Sequence, residues 1–107
     1  MDLTEEIYRA TMQFPKHELY GLTSQLRRAA VSVASNIAEG KGHRSDPDFV
    51  RFLLHARGSL LEIQTQLLIA GRLEYLSQET VEKLCRHAMG ITRGVNALIN
   101  KFRVTAA

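Results

Sequence analysis

From Gly21 to Gly40 the stretch GLTSQLRRAAVSVASNIAEG carries two ordered stripes at once. Leu22, Leu26, Ala29, Val33 and Ile37 recur at three- and four-residue steps, so they share one face of an α-helix. Gln25, Arg28, Ser32, Asn36 and Glu39 repeat at the same steps on a neighbouring face. A helix that only covered a core would carry interchangeable charges there. A glutamine, a serine and an asparagine imply instead a hydrogen-bonded seam to another helix, another subunit or a ligand.

The rest of the chain keeps the same period. A first segment, from about Asp2 to Gln13, has Leu3, Ile7, Ala10 and Phe14 at helical spacing, and Pro15 ends it by pushing the preceding residue out of the α region. The second runs from Glu18 or Gly21 to Glu39, where Gly40 suits a left-handed C-terminal cap. Asp46 as N-cap and Pro47 in the first turn open a third segment that reaches about Gly71. Its apolar stripe runs from Phe49 through Leu53, Leu60 and Leu67 to Ala70. Ser77 caps a fourth, in which Val81, Leu84, Ala88, Ile91, Val95, Leu98 and Phe102 step by three or four. No window alternates with period two.

The chain is therefore all-α. Short connections make consecutive helices antiparallel, which predicts an up-down-up-down four-helix bundle occupying residues 1–107 as a single domain. The short first helix leaves part of the bundle core uncovered, a physical reason to expect a partner surface. The small residues Ala29, Ala30, Ser32, Ala34, Ser35 and Ala38 allow close helix approach on more than one face and point to a homo-oligomer.

No apolar run approaches the ~20 residues of a membrane span. Asp2, Glu5 and Glu6 stand where a signal peptide would carry positive charge. Cys85 is the lone cysteine, which excludes an internal disulfide and fits a reducing cytoplasm. The expectation is a cytoplasmic protein with no membrane role.

Two groups of residues are candidate sites. On the third helix Arg51, His55, Ser59, Glu62 and Gln66 step like the second helix's polar stripe. If the two faces pack, Gln25, Ser32, Asn36 and Glu39 would meet Arg57, Ser59 and Glu62 in a network that fixes register within or between subunits. The second group is basic. Arg27, Arg28, Lys41, Arg44 and Arg51 lie around the junction of helices two and three and suit phosphate contacts with RNA or DNA. Their competing reading is dipole compensation, because Lys41 and Arg44 follow a helix C-terminus while Asp46 and Asp48 would repel a phosphate. The net charge of +3 is modest, yet no acid follows Glu82, whereas Lys83, Arg86, Arg93, Lys101 and Arg103 do.

Catalysis and metal binding find no support. His17, His43, His55 and His87 are never four apart, and none follows an acid by three residues. Neither zincin spacing nor the Glu-x-x-His pair of di-iron bundles is present. Gly40-Lys41-Gly42 lacks the surroundings of a P-loop, and Cys85 falls among apolar helix positions as a packed thiol would. Neither an enzyme nor a cofactor is expected.

The segments FPKHELYGLTSQLRRAAVSVASNIAEG and RFLLHARGSLLEIQTQLLIAGRL resemble a bacterial four-helix bundle family first found encoded by intervening sequences inside large-subunit ribosomal RNA genes. The motifs are Phe14-Pro15-Lys16 with Glu18, Leu22 to Arg28, Asn36 to Gly40, and Ala56 to Leu60 with Glu62. The resemblance spans Phe14 to Leu76 and weakens in the fourth helix. It implies an antiparallel bundle assembled into a ring, a homopentamer. It also implies kinship with accessory proteins of diversity-generating retroelements, which bind nucleic acid and a reverse transcriptase. Family members usually carry a longer first helix than the dozen or so residues before Phe14 supply. Two functions follow: a basic oligomer that binds RNA or DNA, or an oligomeric scaffold for a protein partner with no nucleic-acid role. Salt-sensitive binding to any polynucleotide separates them.

Overall fold

The computed structural model describes residues 2–42 and 45–106, with side chains as far as Arg103. Four helices fill it: α1 (Leu3–Thr11), α2 (Leu22–Lys41), α3 (Asp46–Arg72) and α4 (Gln78–Ala106), with a 3-10 turn at Lys16–Glu18 between the first two. The sequence assigns the helix ends by side chain. Asp2 accepts a hydrogen bond from the Thr4 amide at 2.8 Å, and Ser77 accepts one from Thr80 at 3.1 Å. At α3 the cap is Ser45 rather than Asp46, because the Ser45 hydroxyl accepts from the Asp48 amide and Asp46 is already helical.

Gly40 departs from expectation in a more instructive way. It is buried inside α2, the helix runs on to Lys41, and no described glycine has positive φ. The packing of α2 on α3 explains the residue, since a Cβ at Gly40 would lie 2.8 Å from the Phe49 ring and 3.1 Å from Phe52 Cβ. Among the described residues the left-handed position is held instead by Glu74, at φ 65°. It closes α3 by a Schellman pairing in which the Tyr75 amide donates to Ala70 and the Glu74 amide to Gly71.

The core lies along α2, α3 and α4, where Leu26, Leu53, Leu60, Ile63, Leu67 and Ile99 are fully buried. Each contributes about 1.5–3 kcal/mol relative to exposure. α3 packs on α2 and α4 but not on α1, so α1 and α3 sit across the diagonal of the bundle. α1 has nine residues against twenty in α2, and it reaches only as far as the level of Ala30, where the Thr4 hydroxyl donates to the Ala30 carbonyl. Beyond it α2 and α4 flank an open groove of about 460 Å³, lined by Ala34, Ile37, Ala38 and Ile91. Ile37 and Ile91 are half-buried for that reason. Two apolar steps also shift: Thr11 is buried in place of Ala10, and Ile99 in place of Leu98.

Candidate functional surfaces

The polar faces of α2 and α3 do meet. Their antiparallel register sets Ser32 beside Ser59 and Gln25 beside Gln66. The Ser59 hydroxyl donates to Ser32 Oγ at 2.9 Å, and Asn36 Nδ2 donates to the Ser32 carbonyl and hydroxyl at 2.8 and 3.1 Å. Gln66 Nε2 donates to Gln25 Oε1 at 3.4 Å, while buried Gln66 Oε1 has no hydrogen-bond partner among the described residues. A cleft of about 440 Å³ opens over this seam between Gln25, Arg28, Ser32, Ser59 and Glu62.

Three expected members take no part in the hydrogen bonds of this seam. Arg57 is two residues from Ser59, hence about 200° round the helix, and its guanidinium donates to Asn96 of α4 at 3.1 Å. Glu39 and Glu62 are exposed, and their carboxylates have no hydrogen-bond or ion-pair partner among the described residues. Glu39 is set by the register beside Phe52, near the turn.

The expected basic patch is dispersed. Arg27 is committed to α1: its Nε donates to Thr11 Oγ1 at 2.9 Å, and its guanidinium lies 4.7 Å from the centre of the Tyr8 ring. Arg28 is exposed at the lip of a second groove, about 620 Å³, formed on the outer side of α1 and α2 by Tyr8, Leu19, Tyr20, Thr23 and Val31. Lys41 is some 20 Å from Arg28 along α2 and on a different side of it. Arg51 stacks on Phe52 at 4.5 Å and lies 4.0 Å from Asp48 in an exposed pair. Arg44 lies outside the described residues. Among the described residues Arg28, Lys41, Arg86 and Arg93 have no carboxylate within the 4.0 Å of an ion pair. Arg86 and Arg93, seven residues apart, share the outer face of α4 at a spacing of about 10 Å.

Other polar ties were not foreseen from residue spacing. Glu18 accepts from the Leu22 amide at 3.1 Å and from the Tyr75 hydroxyl at 3.0 Å. These two donors, the amide first, hold its carboxyl below the ordinary value, and the same bond raises the Tyr75 phenol. The Phe14 and Tyr75 rings pack tilted against each other beside it, with centroids 5.3 Å apart, so the Phe14-Pro15-Lys16 motif with Glu18 docks the α1–α2 connection onto the end of α3. His87 of α4 and Glu6 of α1 form a second tie. Burial pushes the Cys85 thiol up, which disfavours the reactive thiolate. Among the described residues no three His, Cys, Asp or Glu side chains converge as a metal ion would need. No described helix is long and apolar enough to cross a membrane.

No curated protein matches the chain. Among solved structures it is similar to a protein of unknown function from the S23 ribosomal protein family of Bacteroides thetaiotaomicron, with a TM-score of 0.77 at 20% identity over 91% of this chain and 97% of that one. That likeness shows the fold. The model of the 23S rRNA-intervening sequence protein family matches residues 1–97, and the chain belongs to that family.

Proposed function

We propose that this chain is a non-enzymatic homo-oligomer, a pentamer, that binds RNA or DNA through exposed cations, most of them without a counter-ion among the described residues. The observation that carries the reading is that Lys41 on α2 and Arg86 and Arg93 on α4 are exposed, and none of the three has a carboxylate within ion-pair distance among the described residues. Arg51 joins them, because its exposed pair with Asp48 is worth little and yields readily to phosphate. Arg27 is spent on α1, and Arg28 stands by the apolar groove. Arg44 belongs to the set by sequence alone. Repetition of the cations around an oligomer raises avidity well beyond one site's affinity. The family's association with 23S rRNA intervening sequences supports the choice of nucleic acid over an acidic protein.

Binding should be largely independent of sequence and fall steeply between ~50 and ~200 mM salt, as phosphate contacts release counter-ions. The triple substitution Lys41→Glu, Arg86→Glu, Arg93→Glu should abolish it at unchanged oligomer mass, measured by fluorescence anisotropy and light scattering on the same samples. Failure of the parent to bind any polynucleotide at low salt would leave the scaffold reading, which the exposed leucines of α3 favour.

A further inference from the structure

The groove on the outer side of α1 and α2 combines features that a solvated surface does not need. Tyr20, in the turn just before α2, is 94% exposed, and Tyr8 of α1 lines the same groove at 41%. Arg27 lies over the Tyr8 ring and is held there by its bond to Thr11 Oγ1, so one wall is a fixed arginine–tyrosine stack. Tyr20 has no such cover: among the described residues no cation or second ring packs on it. Its backbone is nevertheless pinned, because Glu18 on one side accepts from the Gly21 amide at 2.9 Å and from the Leu22 amide at 3.1 Å. A bare aromatic face is thus presented from a rigid turn.

The charge beside it is of one sign. Arg27 and Arg28 line the groove, and no aspartate or glutamate does. Arg28 is exposed, and although it also lines the α2–α3 cleft with Glu62, no ion pair joins the two. The Thr23 hydroxyl belongs to a residue only 4% exposed, lines the groove, and has no hydrogen-bond partner among the described residues. At about 620 Å³ the groove falls within the ~300–1,000 Å³ of small-molecule sites. A nucleotide answers these features together: its base offers a flat face to the ring, and its phosphate offers a charge to Arg28.

We infer that the groove takes an unpaired nucleotide of a single-stranded nucleic acid, with its base stacked on Tyr20 and its phosphate against Arg28. This rests on the nucleic-acid reading above and adds a preference to it. Lys41, Arg86 and Arg93 serve any phosphate backbone, whereas the groove needs a base face that a duplex keeps stacked inside. Every base has such a face, so the contact selects single strands without selecting sequence.

Anisotropy titrations with labelled oligo(dT) and with a DNA duplex of the same length, at one salt concentration, test this. The parent should favour the single strand. Tyr20→Ala should weaken single-strand binding roughly 5- to 150-fold, the worth of one base–aromatic stack, and leave duplex binding unchanged. Tyr20→Phe, which keeps the ring, should bind as the parent does. The chain has no tryptophan, so stacking is also read directly, as a quenching of tyrosine emission that Tyr20→Ala removes. Arg28→Gln should flatten the log–log salt dependence of single-strand binding by about 0.7, one phosphate contact. Absence of a single-strand preference, or a Tyr20→Ala variant that binds as the parent does, overturns the groove assignment and leaves the cationic reading standing. A Tyr20→Ala variant whose light-scattering mass falls below the parent's makes the groove a contact between copies and overturns the assignment too. A parent that binds neither DNA overturns both readings.

Discussion

Gly40 and Gly94 show how much context decides what one residue is worth. Both are helical, and both lose backbone entropy that alanine would not, a cost of about 0.5–1 kcal/mol. At Gly94 a Cβ meets nothing within 4 Å, whereas at Gly40 it meets Phe49 at 2.8 Å, a ring itself packed edge-on against Phe102 with centroids 4.9 Å apart. That ring cannot retreat without disturbing the α3–α4 contact. Gly94→Ala should therefore stabilise the protein by about 0.4–1 kcal/mol. Gly40→Ala should destabilise it by about 1–3 kcal/mol, the ordinary cost of overpacking a core. Chemical denaturation of the two variants beside the parent measures both, and equal signs would refute the reasoning.

At the scale of the element, helices are set by apolar period and their ends by single side chains, which is why the first was readable and the second only partly. The stripes of α2, α3 and α4 stand out in the sequence because each helix buries one face over five or more turns. The cap of α3 was assigned to Asp46 and falls on Ser45, one residue earlier, because serine caps as well as aspartate does. The Schellman end of α3 left no glycine to mark it, because the left-handed position holds Glu74. A non-glycine residue there costs about 1–2 kcal/mol. Glu74→Gly should recover about 1 kcal/mol of it, read as a rise in melting temperature without change in helicity. The polar seam was legible in part for a related reason. Ser32, Ser59 and Asn36 lie near the middle of the α2–α3 contact, where the pattern alone places them together. Arg57 and Glu39 depended on rotation and register, which no single helix reveals.

Across the whole molecule, cohesion is uneven. α2, α3 and α4 share the core, while α1 touches only α2 and α4 and buries two large apolar side chains, Leu3 and Ile7. At about 1.5–3 kcal/mol each, these hold α1 with ~3–6 kcal/mol, below the upper range of global stability. Its polar ties are few: Arg27 to Thr11 and Tyr8, Thr4 to the Ala30 carbonyl, and Glu6 to His87. Since Tyr8 of α1 forms one wall of the outer groove, loosening this helix also opens that groove. Native-state hydrogen exchange should find the α1 amides opening as a unit, at lower free energy than those around Leu60 and Ile63 of α3. Arg27→Ala should lower the α1 opening energy by about 1–3 kcal/mol, the worth of a charged hydrogen bond and a ring contact, while leaving the α3 amides unchanged. If α1 and α3 instead lose protection together in parent and variant alike, α1 is an integral part of one cooperative unit, and the groove is as rigid as the core behind it.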